Sequence, residues 1–243
     1  MTEQDIQSNR CLNCDAGLQG PFCSQCGQAR SARMVPFKDW LGDFFGTFLK
    51  LDSKLLRTVQ RVMFQPGQAT VDFGQGRRVP YASPVKVYII ISAISIAAMT
   101  LKGASNMEAA LPGIESEERF RTTFQFLFPF VNLLSPFFTA GVLVLLQRRF
   151  LFQLHLAFSL HVWTFYIALA TPMIFIPSTS IWALVAFLAL TLVGGVYIFL
   201  AHRRVYSVPW YERIVTVGAV FLSIPLASIL FVLLLFALAA FLS

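Results

Sequence analysis

Charged residues are scarce in this sequence, and acidic residues are missing from its longest apolar stretches. Lys, Arg, Asp and Glu make up only 13% of the 243 residues, whereas 56% are hydrophobic. An average soluble domain has about 25% charged residues, so this composition indicates an integral membrane protein. Neither Asp nor Glu lies in any stretch long enough to cross a bilayer. Proton-coupled transporters and intramembrane aspartyl proteases need such buried carboxylates, which argues against both classes.

The motifs of several enzyme classes are missing as well. The sequence has no His-Glu-x-x-His, no Gly-x-Ser-x-Gly and no phosphate-binding loop. An intramembrane enzyme with His161 as its base is one interpretation, but no nucleophile lies at an interpretable spacing from it. The sequence therefore leaves enzymatic activity open and leans towards a protein without one.

Cysteine occurs only four times, in two Cys-x-x-Cys pairs near the N-terminus: Cys11, Cys14, Cys23 and Cys26. Two such pairs supply the four thiolates of a tetrahedral zinc site, with Zn–S distances of about 2.3 Å. Because four thiolates leave no position for water, we expect a structural zinc ribbon and no catalytic metal. Two disulfides are the alternative, which the reducing cytosol disfavours.

Five stretches are long enough to cross a bilayer as helices. They cover residues 85–101, 123–146, 151–176, 181–200 and 214–242. No signal peptide is expected, because the N-terminus is polar and contains the cysteines. The predicted fold class is therefore an all-α integral membrane bundle. It divides into a zinc ribbon (1–32), an amphipathic interfacial segment (33–84) and a five-span bundle (85–243).

The positive charges predict the orientation of the bundle. Of the 19 lysines and arginines, only Lys102, Arg119 and Arg121 lie on the side opposite to the N-terminus. Loops rich in Lys and Arg stay in the cytosol. We therefore expect a bacterial inner-membrane protein with a cytosolic N-terminus and a C-terminus on the periplasmic side.

The segment ahead of the first span has amphipathic periodicity. Aromatic and apolar residues recur at helical spacing from residue 37 to 63, and Pro66-Gly67 ends the helix. Basic residues occupy the other face, which is typical of helices that lie in the membrane interface. Packing of this face on the cytosolic ends of the bundle is the alternative, and the pattern does not separate the two.

Polar residues inside the spans and the arginines beside them are the candidate ligand-binding residues. His155 and His161 lie in the third span, and Asn132 and Ser135 in the second. If the third and fourth spans are neighbours, His155 and His202 meet near a rim of arginines that suits an anionic lipid head group. Alternatively, the histidines form hydrogen bonds between helices. The alternative for the arginines is that they only determine the orientation of the spans. The rim consists of Arg77, Arg78, Arg148, Arg149, Arg203 and Arg204.

Several motifs in order resemble domain-of-unknown-function family 3667, which consists of bacterial zinc-ribbon proteins with several membrane spans. The resemblance rests on both cysteine pairs with Gly27-Gln28, on 56–59, on Pro66-Gly67, on 76–84, on the 155–161 histidine pair and on 201–206. Asp15 differs from the family pattern, in which glycine is usual after the first pair. The resemblance implies an architecture and a two-histidine span but no reaction.

The leading functional hypothesis is a membrane protein whose cytosolic zinc ribbon docks a protein partner. The alternative is a lipid-handling or transporter-like bundle that binds an anionic head group at the arginine rim. A nucleic-acid partner is not expected, because residues 12, 13, 15, 24 and 25 around the cysteines include no basic side chain.

Overall fold

The computed structural model describes residues 10–30, 53–102, 133–177, 179–223 and 226. Seven α-helices lie within these ranges, and a 3₁₀ turn at Thr171–Phe175 continues the fifth. Within the described ranges, the only β pairing is at two isolated bridges. The predictions for 31–52, for Asn132 and for the tail beyond 226 lie outside the described residues. The helices are α1 (Ser53–Phe64), α2 (Gln68–Gly74), α3 (Pro84–Lys102), α4 (Leu133–Leu146), α5 (Phe152–Ala170), α6 (Ile181–Val205) and α7 (210–223).

Three of the helices are long and apolar enough to cross a membrane. These stretches are Pro84–Leu101, Phe152–Phe175 and Ile181–Val205, and they coincide with the first, third and fourth predicted spans. The chain is thus compatible with a membrane protein, as its composition predicts. The second and fifth predicted spans lie only partly in the described residues, where α4 and α7 represent them.

α5 is the central helix of the bundle. Each residue from His155 to Ile167 is buried, which explains why this stretch is apolar on nearly every side. α3 packs along it, and its Val85 and Tyr88 belong to the same buried cluster as Leu156 and Leu160 of α5.

α4 and α7 run in opposite directions. The hydroxyl groups of Thr139 and Ser223 hydrogen-bond at 3.1 Å, and Gln147 donates from Nε2 to Thr216 Oγ1 at 3.0 Å. The end of the bundle that carries Gln147 also carries Arg148, Arg149, Arg203 and Arg204, and is called the arginine end below.

α1 and α2 form a hairpin that packs against α6. Pro66 has no N–H, so the carbonyl of Val62 lacks the donor that residue i+4 of a helix normally supplies. Tyr197 of α6 provides it, with its hydroxyl 2.8 Å from the Val62 oxygen. Gly67 makes the turn at φ 77°, and a Cβ there would lie 2.6 Å from the carbonyl oxygen of Ala201. Only glycine fits this backbone conformation and this approach.

The hairpin also contacts α5. Thr70 is buried in α2, and its hydroxyl lies 2.8 Å from Nδ1 of His161. Val62 belongs to the same buried core as Phe158 and Val162. The described part of the amphipathic segment therefore packs on the bundle, which is the second of the two arrangements left open by its sequence pattern.

Candidate functional site

The four cysteines lie on two turns that repeat each other with an offset of twelve residues. The N–H of Asp15 bonds to the carbonyl of Cys11 at 2.8 Å, and the N–H of Gly27 bonds to that of Cys23 at 2.9 Å. Asp15 and Gly27 both have positive φ, 61° and 72°. Asp tolerates this left-handed conformation better than most residues, so Asp15 can take the position that Gly27 has in the second turn.

The thiols have the spacing of a metal site. All four Sγ atoms lie within 4.8 Å of one another, with 3.5 Å between Cys11 and Cys26 and 3.6 Å between Cys14 and Cys23. A tetrahedral zinc with Zn–S bonds of about 2.3 Å needs S···S separations of about 3.8 Å. The four cysteines are free thiols and could hold a metal ion together. Residues 10–30, which carry them, are called the four-cysteine module.

The electrostatics of the thiols fit the same conclusion. Backbone hydrogen bonds from Cys26 and Gln25 lower the pKa of the Cys23 thiol to about 7, because they favour the thiolate. At Cys14 a backbone hydrogen bond at Ala16 lowers the pKa, but desolvation and the other thiols raise it to about 12. Thiolates this close repel one another, and a bound cation would remove that repulsion.

The four-cysteine module is attached to the rest of the chain through Gln28. This buried side chain donates from Nε2 to the carbonyl of Gly76 at 3.0 Å, and its Oε1 accepts from the N–H of Arg78 at 3.2 Å. Leu12 approaches the same loop so closely that a Cβ on Gly76 would lie 2.7 Å from its Cδ1. Residues 75–78 are therefore called the contact loop. A cleft of about 530 Å³ opens beside it, lined by Arg10, Cys11, Leu12, Asn13, Cys14, Asp15, Gln75 and Arg77.

A buried carboxylate, Asp72, organises the segment behind the contact loop. Its oxygens lie 3.4 Å from guanidinium nitrogens of both Arg61 and Arg77, and Gln68 donates to it at 3.0 Å. Burial and the hydrogen bond to Asp72 raise the pKa of Tyr81. Sequence reasoning missed Asp72, although an acidic residue four positions after Gln68 in a short helix was a signal for such a pair.

His155 is fully hydrogen-bonded in the structure. Nε2 lies 3.2 Å from the carbonyl oxygen of Gln147, so this nitrogen must carry the hydrogen. Nδ1 then accepts a hydrogen bond from the Tyr206 hydroxyl at 2.9 Å. This pattern fixes the neutral Nε2–H tautomer and gives His155 a structural role between α4, α5 and the residue that follows α6.

His202 also packs on the Tyr206 ring. Its ring centroid is 4.7 Å from that of Tyr206, and the His155 centroid is 5.5 Å from that of Tyr206. His202 is completely buried, yet neither of its ring nitrogens has a hydrogen-bond partner among the described residues. Nε2 of His161 is also without a described partner, whereas its Nδ1 is bonded to Thr70. Of the three histidines, His202 is the one whose polar atoms the described fold leaves unused.

The arginines of the predicted rim are not equivalent. Arg204 donates to the carbonyl of Pro66 at 3.0 Å, Arg149 pairs with Glu212, and Arg77 pairs with Asp72. Arg78 lies over the ring of Phe73, 4.5 Å from its centroid. Arg148 and Arg203 are exposed. The structure thus uses four of the six arginines within the fold.

The structure describes one of the two polar residues that were predicted in the second span, Ser135. Ser135 is buried on α4, at 3% exposure, and takes part in an interaction there. Asn132 lies just outside the described residues.

Residues 52–96 match the model of a family described as "Protein of unknown function (DUF3667)". The match confirms the family resemblance over this segment. The DUF3667 segment contains the α1–α2 hairpin, Asp72, the contact loop and the first part of α3. The four cysteines and the three histidines lie outside it. No match was found among curated proteins or solved structures.

Proposed function

We propose that this chain is an integral inner-membrane protein whose four-cysteine module, holding one structural zinc, docks a cytosolic protein at the membrane surface. A closed set of four thiolates supports a structural metal and leaves no site for catalysis. The arginine end supports a cytosolic position for the module, because positive residues beside apolar helices stay in the cytosol.

The observation that carries the proposal is the two-point attachment of Gln28 to the contact loop. Two hydrogen bonds to backbone atoms hold the module in one orientation relative to α2 and α3. A docking surface gains affinity when it is fixed before the partner arrives, since less freedom is lost on binding.

The surface offered to a partner is the second cysteine turn. Phe22 precedes Cys23 and is 64% exposed, whereas Leu12 of the first turn faces the contact loop. An exposed aromatic side chain on a rigid turn is a typical anchor for a protein pocket. Phe22 is therefore the residue that we place at the centre of the interface.

A photo-crosslinking amino acid at position 22, introduced in cells, tests the proposal. We expect an adduct with a second protein that disappears in the Cys23→Ser variant, in which the metal set is incomplete. The same amino acid at position 12 is the matched control, because it should crosslink within the chain to residues 75–78. Adducts at position 22 with lipid alone, or adducts that persist without the metal, would overturn the proposal.

A further inference from the structure

The positive charge of Arg213 acts on the unpartnered imidazole of His202. Arg213, near the start of α7, donates from one terminal nitrogen to the carbonyl of Val208 at 3.0 Å, but its buried Nε has no partner among the described residues. Arg213 and His155 are the groups that act electrostatically on His202. No carboxylate in the described chain pairs with Arg213, since the nearby Glu212 pairs with Arg149.

Gln147, at the end of α4, is the third residue with an unused polar atom. Its Nε2 donates to Thr216 Oγ1 at 3.0 Å, and its buried Oε1 has no partner in the described ranges. Thr216 lies three residues after Arg213 on α7, so the two side chains share one face of that helix. The carbonyl of Gln147 accepts from His155, and both His155 and His202 pack on Tyr206. The unused atoms therefore come from the adjoining ends of α4, α6 and α7.

Unused hydrogen-bonding atoms in a protein interior are costly, and Arg213 is a half-buried cation that no carboxylate of the described chain pairs with. A buried charge is stable when an opposite charge and hydrogen bonds compensate it. The Nε–H of Arg213 and a ring N–H of His202 can each donate a hydrogen bond to an oxyanion. Gln147 Oε1 can accept one from a protonated oxygen of the same anion. His202 lies three residues before the end of α6, about 4.5 Å along the helix axis, which is close to the depth of lipid head groups.

We propose that His202, Arg213 and Gln147 form a binding site for a phosphate group at the arginine end. The proposal goes beyond protein docking, because the site lies in the helix bundle and needs no partner of the four-cysteine module. The phosphate belongs either to a lipid head group or to a soluble phosphate compound. Both sources present the same oxygens to the same donors.

Calorimetric titration of the metal-loaded full chain in neutral detergent tests the site, with inorganic phosphate and short-chain phosphatidic acid as the two probes. We expect saturable binding of at least one probe. Binding of phosphatidic acid alone identifies a lipid head group, whereas binding of inorganic phosphate identifies a soluble ligand. A wild-type chain that binds neither probe overturns the proposal.

Two variants separate the buried site from surface charge. Arg213→Gln should weaken binding about tenfold or more, because a charge-assisted hydrogen bond is lost. Arg203→Gln removes the same charge from an exposed position next to His202 and should leave the affinity within about twofold. Equal losses in both variants would show that the anion binds to the charged surface and would overturn the proposal.

A measurement on the wild-type chain covers the case in which Arg213→Gln fails to fold. The probe that binds should shift the ring-nitrogen NMR signal of His202, identified by its loss in His202→Gln. The signal of His161, which contacts Thr70, should not move. Saturable binding without a shift at His202 would place the anion elsewhere and would overturn the proposal.

Discussion

The hydroxyl of Tyr197 donates to the backbone carbonyl of Val62, at 2.8 Å and across 135 positions in the sequence. Together with the bond from Arg204 to the carbonyl of Pro66, it joins α6 to the hairpin of the DUF3667 segment. It compensates for Pro66, which cannot supply the helical donor to the same carbonyl.

Removing the Tyr197 hydroxyl should destabilise the chain. The Tyr197→Phe variant keeps the stacking on Phe165, whose ring centroid is 3.7 Å away, but leaves the Val62 carbonyl without its donor. We expect a loss of about 1–3 kcal/mol in the free energy of unfolding. Chemical unfolding in detergent measures it, with Tyr211→Phe, an exposed tyrosine at 57%, as the control that should change little. Equal stability of Tyr197→Phe and wild type would contradict the role given to this bond.

Gly67→Ala should be destabilising through the backbone. The left-handed φ of 77° strains an alanine, and the added Cβ would lie 2.6 Å from the Ala201 oxygen. These effects amount to about 1–3 kcal/mol together. Gly218→Ala is the matched control in α7, where the added Cβ meets no atom of the described residues, and it should be neutral or slightly stabilising. Thermal melting of the two variants compares them directly, and a neutral Gly67→Ala would argue against the close packing of the hairpin.

Gln28→Ala should loosen the contact loop without removing the metal. The N–H of Arg78 loses its acceptor, so its hydrogen exchange should become about tenfold faster. Gln25→Ala, at an exposed position between Cys23 and Cys26, is the control. Unchanged exchange at Arg78 would mean that Gln28 does not hold the loop in solution.

The four-cysteine module should hold one zinc per chain. Elemental analysis of the purified protein should show this ratio, and it should fall in Cys11→Ser/Cys14→Ser, which lacks two of the four ligands. Chelation should also speed exchange at Arg78, because the turn that carries Gln28 loses its support. Full zinc content in the double variant would disprove ligation by these cysteines.

The orientation can be tested with introduced cysteines. Thr179→Cys lies between α5 and α6, and Ser207→Cys follows α6 at the arginine end; both positions are exposed. A membrane-impermeant maleimide should label position 179 in intact cells and position 207 only after permeabilisation, as read by peptide mass spectrometry. The reverse pattern would place the N-terminus outside the cytosol.

The sequence predicted features that depend on local pattern. Cysteine spacing predicted a four-thiol cluster, and uncharged runs predicted the three spans that the structure describes as long apolar helices. Because each helical residue turns the chain by about 100°, His155 and His161 face different neighbours, and they contact Tyr206 and Thr70 respectively. Such patterns are visible because their residues lie close together in the chain.

Contacts between distant segments could not be read in the same way. The bond from Gln28 to Gly76 spans 48 positions, and nothing near Gln28 marks its acceptor. The sequence marked all three histidines as candidate ligand-binding residues, and the structure gives His155 two partners and leaves His202 without one in the described chain. Which polar atoms stay unpaired depends on how the helices pack, and a single sequence does not contain that information.

Both hydrogen bonds of Gln28 end on main-chain atoms, the oxygen of Gly76 and the nitrogen of Arg78. The side chains at 77 and 78 therefore do not determine whether the four-cysteine module stays attached. A substitution at either position would remove the partner of Asp72 or of the Phe73 ring, but it would leave both hydrogen bonds of Gln28 in place. The attachment of the module is thereby separated from the charge that the contact loop carries.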